Sequence, residues 1–249
     1  MKPEFLSKSE NGVYYLTQAK TDFESVYLKV RKKENRLLDD DLVKKLPFLP
    51  NTHPHFAEWK KRQFTVKKFQ KYTKLKPFHR VLDIGCGNGW FTNQLLGKPE
   101  FVVGLDVGKE ELEQAARCFQ NENLHFVCCT DLSLLPEKSF DLITFNASIQ
   151  YFELTKEFWD VLDSLLDTRD EIHILDSPIY YQRDQKDAQE RSVDYFENIG
   201  EPQANEYYHH LIWNHLPSGY SIFYRPKKWK LKIFKKRSPF TWLMVQKRL

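Results

Sequence analysis

The chain is poor in cysteine and has no long apolar run, and each absence excludes a class of protein. Its four cysteines in 249 residues include no C-x-x-C pair, so the usual spacing of a zinc site or a disulfide framework is missing. We therefore expect a reducing cytoplasm. No run approaches the roughly 18 apolar residues of a membrane span, and the amino terminus is too polar for a signal peptide, so we expect no membrane association.

A strong charge of either sign is also missing. The net charge of +4 is too mild to indicate nucleic-acid binding by itself. The exception is 225–249, which holds ten Lys or Arg residues and no acid. Apolar residues alternate with lysines over 228–233, and Phe240–Gln246 is a second apolar run, which predicts a terminal pair of strands. Lysines on an edge strand discourage unwanted pairing; the alternative is a basic face for RNA or an acidic partner.

Glycine is scarce, yet three of the nine glycines stand at alternate positions of one stretch. Gly85, Gly87 and Gly89 follow the apolar run Val81–Ile84, which predicts a buried strand, and precede a predicted helix that begins at Trp90. Glycine tolerates positive φ and has no side chain to keep a ligand from the backbone. The carboxyl end of a strand is also where open α/β sheets bind ligands.

The spacing of these glycines excludes two common nucleotide sites. A dinucleotide fingerprint requires a third glycine where Trp90 stands, and a P-loop requires a G-K-[ST] triplet that does not follow. The pattern D-x-G-x-G-x-G instead resembles the first motif of Rossmann-like, class I methyltransferases that depend on S-adenosylmethionine (SAM). The resemblance implies that the turn passes under the methionine and sugar of SAM; the alternative is a purely structural turn. The predicted contacts here are Asp83, Gly85, Cys86, Gly87, Asn88 and Gly89.

Two further predicted strands end in, or are soon followed by, an acid that could contact a nucleoside. Phe101–Asp106 is a second apolar run, and a carboxylate at its end can accept hydrogen bonds from both hydroxyls of a ribose. The alternative role of Asp106 is to cap the next helix, and Val107 beside it is included in the predicted site. Leu124–Cys129 predicts a third strand. The resemblance implies that Asp131 then faces the adenine amine and that Leu132 packs on the ring; the alternative is an ordinary loop aspartate.

The fourth strand continues the resemblance. Phe140–Tyr151 looks like the family's next motif, which implies that Asn146 and Ala147 line the methionine part of SAM. Gln150 and Tyr151 stand where many small-molecule members have a polar pair. Four matched elements over 81–176 are more specific together than any one alone.

The segment before the first strand is predicted to be helical. A helix from Asp22 has an apolar face that includes Tyr27, and the charge run Arg31–Arg36 is interpreted as its solvated end. The long helix from Pro54 carries Arg62, which in this family can meet the methionine carboxylate; the alternative is a solvated cationic face. The pattern H-P-H-x-x-E-W-x-x-R over 53–62 is similar to an uncharacterised group of bacterial methyltransferase-like proteins. We predict no metal site, because ligand sets need three or more groups.

Alternating strands and helices predict a parallel sheet with helices on both faces. The resemblance implies a three-layer αβα sandwich with a seven-stranded, mostly parallel Rossmann-like sheet and an antiparallel C-terminal strand. Residues 1–75 are predicted as a helical extension and 76–249 as the SAM-binding domain, with an aromatic-rich insert at about 178–220.

The insert is the expected acceptor site, because aromatic walls can bury a flat acceptor and stabilise a sulfonium cation. A general base is optional in such chemistry, and four residues are candidates: Tyr151, Asp176, His209 and His210. We predict a SAM-dependent methyltransferase that acts on a small molecule. The alternatives are an RNA or protein methyltransferase, a non-catalytic protein that binds SAM or its product, and an aminopropyl transferase, which the lack of acids after the fourth strand disfavours.

Overall fold

The computed structural model describes residues 2–97, 99–227, 229, 232 and 234–246. Within them, nine strands form a single sheet. The strands are β1 (Ser9–Glu10), β2 (Val13–Tyr15), β3 (Arg80–Ile84), β4 (Phe101–Asp106), β5 (Leu124–Cys128), β6 (Phe140–Asn146), β7 (Leu166–Leu175), β8 (Tyr220–Tyr224) and β9 (Trp242–Gln246).

The strand order is β1-β2-β5-β4-β3-β6-β7-β9-β8. The six strands from β2 to β7 along this order pair in parallel, whereas β1, β9 and β8 pair antiparallel. The predicted fold class is therefore confirmed, but the predicted number of seven strands is wrong. The two added strands come from 9–15, where two- and three-residue strands are too short to show an alternating pattern.

Seven helices complete the described fold. They are α1 (Thr21–Lys33), α2 (Asp40–Val43), α3 (Phe56–Leu75), α4 (Trp90–Gln94), α5 (Lys109–Cys118), α6 (Lys156–Leu165) and α7 (Gln182–Asn198). Capping explains two of the starts: the Asp39 carboxylate accepts from the Leu42 amide, and the Thr155 hydroxyl accepts from the Phe158 amide. No helix in the described part of the chain is both long enough and apolar enough to cross a membrane.

The core lies on both faces of the sheet. Successive residues of β3 belong to different apolar clusters: Val81 packs with Phe69 and Phe91, whereas Leu82 packs with Phe145 and Leu162. A strand that is buried on both faces is typical of a parallel sheet covered by helices. The carboxyl ends of the central strands are consequently left as the open edge where loops can build a site.

The C-terminal part differs from the predicted strand pair. The strand expected over 228–233 falls largely on Lys228, Lys230, Leu231 and Ile233, which lie outside the described residues. The antiparallel partner of β9 is instead β8, an exposed strand at 220–224. The second predicted strand is present, although it begins at Trp242 rather than Phe240.

The insert positions α1 above the open edge of the sheet. Val30 of α1 packs with Phe196 of α7 and with Ala204 in a small separate apolar cluster. Lys33 at the end of α1 pairs with Glu201 at 2.7 Å. These contacts between distant parts of the chain bring the amino-terminal helix over the loops that follow β3, β4 and β6.

Candidate functional site

The glycine turn after β3 is built from left-handed backbone. Gly85, Gly87 and Gly89 have φ of +72°, +53° and +73°. A Cβ on Gly85 would lie 2.4 Å from the Ser148 Cβ, so the turn can approach the loop after β6 only because this side chain is absent. Gly89 packs inward against Phe126 and lines neither of the two cavities described next. The bare backbone that a ligand can reach is therefore at Gly85 and Gly87.

Two cavities adjoin at this turn. The first has about 600 Å³ and is named the Arg31 lobe after the arginine that lines it. The second has about 780 Å³ and is named the Asp106 lobe. Each is within the size range of small-molecule sites. The residues lining both lobes, which define the seam between them, are Tyr27, Gly85, Gly87, Glu111, Ala147 and Tyr151.

Asp106 is fixed at the end of β4 by three backbone amides. Its Oδ2 accepts from the Gly87 amide at 2.7 Å, and its Oδ1 accepts from Val107 at 2.7 Å and from Gly108 at 3.2 Å. Burial raises the pKa of this carboxyl, and the three amides oppose the rise. A carboxylate has about four lone-pair positions, so Asp106 retains acceptor capacity toward the lobe. Val107 and Leu132 line the same lobe.

Asp83 lies beneath the turn rather than in either lobe. Its side chain is buried and accepts from the hydroxyls of Thr92 at 2.7 Å and Thr144 at 2.8 Å. Burial raises the pKa of Asp83 to about 6, against these two hydrogen bonds. The carboxylate thereby ties the end of β3 to α4 and β6. A direct contact of Asp83 with a ligand stays a prediction.

Asp131 also lies outside both lobes. Its exposed carboxylate accepts from the Ser133 amide at 3.0 Å and from the Ser133 hydroxyl at 2.7 Å, which caps a short helical turn. The neighbouring Leu132 is the part of this predicted pair that the cavity includes. Contact between Asp131 and an adenine likewise stays a prediction.

The loop after β6 brings an unpaired acceptor to the Arg31 lobe. Asn146 lines this lobe, and its Oδ1 is buried with no hydrogen-bond partner among the described residues. Ala147 follows in a left-handed conformation with φ of +57°, and its amide donates to the Leu175 carbonyl at 2.9 Å. Cys86 and Asn88 line the lobe from the opposite side. Buried polar atoms are normally paired, so the orphaned Asn146 oxygen indicates a place for a donor on a ligand.

The four candidate bases do not share one position. Tyr151 lies at the seam, Asp176 lines the Arg31 lobe, and His209 lines the Asp106 lobe. His210 borders neither lobe, because its Nε2 lies 2.8 Å from the Ser192 hydroxyl in the insert. Burial raises the pKa of Tyr151, so its hydroxyl keeps its proton at neutral pH.

Asp176 has the geometry of a proton acceptor. Its Oδ1 accepts from Thr65 at 2.7 Å and from Ser238 at 2.8 Å, whereas its Oδ2 is buried with no partner among the described residues. Burial raises the pKa of this carboxyl, against the positive charge of Arg62.

Arg62 lines the Arg31 lobe and is held by an acid on its own helix. Its Nη2 pairs with the Glu58 carboxylate at 3.1 Å, and Arg36 binds the same carboxylate through both of its terminal nitrogens at 2.8 and 2.7 Å. Burial alone would raise the pKa of Glu58, but the two arginines lower it to about 2. Arg62 is therefore not on a freely solvated face.

Sequence patterns missed three residues of the seam and the lobe. Tyr27 fits the apolar face of α1, Arg31 fits a charge run, and Glu111 fits the acidic first turn of α5. Burial raises the pKa of Glu111 to about 7, while the positive charge of Arg31 lowers it. The helical period identifies the buried face of α1, but it does not distinguish a core contact from a cavity wall.

The comparisons with known proteins agree with this geometry. Residues 81–167 match a family model described as a methyltransferase domain. Malonyl-acyl-carrier-protein O-methyltransferase 2 of Ilyobacter polytropus is 34% identical over 89 residues, which cover 34% of this chain and 34% of that protein. The chain thus matches about a third of the length of this curated relative.

Two solved structures share the architecture. Geranyl diphosphate C-methyltransferase from Streptomyces coelicolor A3(2) matches with a TM-score of 0.59 at 10% identity, covering 94% of this chain and 100% of that chain. The YcgJ protein of Bacillus subtilis matches with a TM-score of 0.52 at 15% identity, covering 75% of this chain and 99% of that chain. Likeness at such low identity shows the fold alone.

Proposed function

We propose that this chain, which carries a class I, Rossmann-like methyltransferase domain, transfers a methyl group from SAM to a small-molecule acceptor. The observation that carries the proposal is the seam, where the glycine turn is open to two lobes at once. A reaction between a nucleoside cofactor and a second molecule needs two adjoining sites that meet at one reacting position. The two lobes have that arrangement.

The residues around the turn fit such a cofactor on two observations. The missing side chains of Gly85 and Gly87 leave the backbone accessible, and the buried Asn146 oxygen has no partner in the described chain. In this proposal Asp106 accepts hydrogen bonds from the ribose hydroxyls. The residues that border the base or the methionine part are Val107, Leu132, Cys86, Asn88, Asn146 and Ala147, with Asp83 and Gly89 shaping the turn.

When bound, SAM supplies a methyl group that is attached to a positively charged sulfur. The sulfur is a good leaving group, because it becomes neutral when the methyl group is transferred. The protein has to exclude water and orient the acceptor. Tyr151 forms an aromatic wall at the seam, with its ring centroid 5.9 Å from that of Tyr27 and 6.0 Å from that of Tyr208. Such a wall excludes water, and aromatic faces favour a neighbouring cation.

Asp176 is the proposed general base. Asp176 lines the Arg31 lobe, its Oδ2 has no partner among the described residues, and Thr65 and Ser238 hold the other oxygen in place. A pKa raised by burial brings a carboxyl closer to the working pH, which favours proton transfer.

The first experiment measures cofactor binding. Native mass spectrometry of the purified protein and calorimetry with S-adenosylhomocysteine (SAH) should both detect binding to the wild type. Asp106→Ala should weaken SAH binding at least tenfold, because it removes a buried acceptor at the end of β4. Asp22→Asn, which neutralises an exposed acid on α1, is the matched control and should bind as the wild type does.

The second experiment separates catalysis from binding. Labelled SAM is incubated with the protein and a panel of small molecules, and methyl transfer is followed by mass spectrometry. Binding of SAH without transfer to any small molecule would favour a non-catalytic role, and no affinity for SAH would refute the proposal.

A further inference from the structure

The Arg31 lobe is rich in positive charge. Among the described residues, its cationic side chains are Arg31, Arg36, Lys61 and Arg62. The carboxyl groups that line it are Glu58, Glu111 and Asp176. Burial raises the pKa of the last two, to about 7 for Glu111, which weakens the negative charge of Glu111 at neutral pH. Glu58 remains charged, but it is shared between Arg36 and Arg62.

Arg31 and Lys61 are the cations of this set that form no ion pair in the described part of the chain, and of the two only Arg31 has a guanidinium fork. Its Nε is buried without a hydrogen-bond partner, and no described carboxylate forms an ion pair with its guanidinium. The guanidinium carbon lies 5.6 Å from the centroid of the Tyr27 ring, and Glu111 and Glu34 act on Arg31 electrostatically without forming an ion pair with it. Glu34, the acid next along α1, pairs with Arg36 at 3.1 Å instead. A guanidinium with a buried nitrogen is normally paired, so Arg31, which lines a cavity without an ion pair, indicates an anionic ligand.

The position of Arg31 relates this anion to the acceptor. Arg31 lines the lobe that contains Asn146 and Asp176, and it is absent from the lobe that contains Asp106. With the nucleoside in the Asp106 lobe and the methionine part of SAM beside Cys86, Asn88 and Asn146, the rest of the Arg31 lobe is the space for the second reactant. Arg36, His53 and His55 also line this lobe and do not line the Asp106 lobe.

We propose that the acceptor is an anion and that Arg31 binds its carboxylate or phosphate group through the forked guanidinium. This inference rests on the proposed function, since it assigns the chemistry of the acceptor in the same site. Arg36 and Arg62, braced by Glu58, supply the surrounding positive potential. The guanidinium fork matches carboxylate and phosphate geometry, which an ammonium group does not.

The test uses simple anions in place of the acceptor. Inorganic phosphate, succinate and its neutral counterpart succinamide are titrated by calorimetry into protein saturated with SAH and into protein without it. The wild type should bind phosphate or succinate at least tenfold more tightly than succinamide. Arg31→Gln should lose that preference and bind SAH within about twofold of the wild type. The matched control Lys32→Gln, on an exposed neighbour of the same helix, should change neither.

A second variant separates recognition from folding. Arg31→Lys keeps the charge but not the fork, so it should bind the two anions several-fold more weakly than the wild type while keeping the thermal unfolding midpoint. The proposal is overturned if the wild type does not prefer the anions over succinamide, or if Arg31→Gln keeps that preference. It is also overturned if Arg31→Gln loses SAH binding alone, because that result would assign Arg31 to the cofactor carboxylate. A wild type that binds succinate but not SAH would refute the proposed function and leave the anion site standing.

Discussion

Asp176 has a backbone conformation that is uncommon for an aspartate, with φ of +47° at the end of β7. Non-glycine residues pay a cost in this region, and such strain is often found at functional sites. Asp176 lines the Arg31 lobe, and one oxygen of its carboxylate has no partner among the described residues. Its neighbours Thr65 and Ser238 fix the orientation.

Asp176→Asn should lower the rate of methyl transfer about 100-fold, the scale of a lost general base, and leave SAH affinity unchanged. The pKa of Asp176 is raised, so the wild-type rate should fall as the pH decreases through that pKa, while the variant should lack this limb. Steady-state kinetics at several pH values provides the measurement. A variant with the wild-type rate and pH profile would remove Asp176 from the mechanism.

Glu58 is predicted to contribute a pH-dependent part of the stability. Its pKa is lowered from 4.5 to about 2, so its contribution is complete above the unfolded-state pKa and is lost as the pH falls through the folded-state value. Glu58→Gln should lower the free energy of unfolding at pH 7 by about 2 kcal/mol, a figure discounted for partial exposure. The difference from the wild type should shrink between pH 5 and pH 2. Urea denaturation measures it, and a constant difference would contradict the assignment.

At the scale of the element, the glycine turn is the part of the site that local pattern predicts best. A strand, a bare turn and a helix follow one another within 81–94, and each is signalled by its own residues. Gly85→Ala should destabilise the fold by about 3 kcal/mol and abolish measurable SAH binding, because a Cβ would lie 2.4 Å from the Ser148 Cβ at positive φ. Gly97→Ala is the matched control, since its added Cβ meets nothing within 4 Å. Thermal unfolding and calorimetry measure the two effects.

A second element-scale feature joins α3, β7 and β9 through a buried histidine. The indole Nε1–H of Trp242 can only donate, and it donates to Nδ1 of His173 at 2.8 Å. Nδ1 therefore carries no proton. The ring proton is on Nε2, which lies 3.0 Å from the Glu171 carboxylate. Tyr72 and Lys76 donate to the same carboxylate at 2.6 and 2.7 Å. The imidazole is therefore held in its neutral form, and burial lowers its pKa.

Because the pKa of His173 is lowered on folding, the unfolded chain binds a proton that the folded chain does not, and stability should fall as the pH decreases below about 6.5. Trp242→Phe frees Nδ1, so it should cost about 1–2 kcal/mol at pH 7.5 and should make the decline toward pH 5.5 shallower. Denaturation at the two pH values checks both expectations. An equal slope in wild type and variant would show that His173 does not control this decline.

Sequence patterns predicted the strands that the local sequence determines. They missed the features that depend on contacts between residues far apart in the chain. The strands β3 to β6 were predictable because each is a largely apolar run. β2 was not, since three residues acquire a strand conformation only by pairing with β5. Arg31 was interpreted as solvated, but in the fold it is within electrostatic range of Glu111 and Tyr151, both far along the chain. The exposure of a charge run therefore depends on residues that its own sequence does not show.

At the scale of the whole molecule, three distant segments enclose the seam. Phe23 of α1 has its ring centroid 5.8 Å from that of Tyr151 and 5.3 Å from that of Tyr207. Glu24 accepts from the Glu110 amide at 2.6 Å and so fastens α1 to the start of α5. The amino-terminal helix α1 therefore covers the Asp106 lobe, and α7 and the 202–207 turn pack against that helix.

This arrangement predicts that a residue remote from both lobes controls ligand binding. Phe196 borders neither lobe and packs against Val30 in the small cluster between α7 and α1. Truncating a buried phenylalanine costs about 3–5 kcal/mol, and here the loss falls on the docking of α1. Phe196→Ala should therefore weaken SAH binding about tenfold and make 16–33 accessible to limited proteolysis. The protection of the β3 and β6 amides from hydrogen exchange should change less.

Val193→Ala provides the matched control, because Val193 lies on the same helix but is 37% exposed. It should change neither SAH affinity nor the cleavage of 16–33. If α1 is instead held mainly by the Glu24 and Lys33 contacts, Phe196→Ala will bind SAH like the wild type although it unfolds more easily. Calorimetry beside proteolysis distinguishes the two cases, because only loosening of α1 opens the Asp106 lobe while the central strands remain protected from exchange.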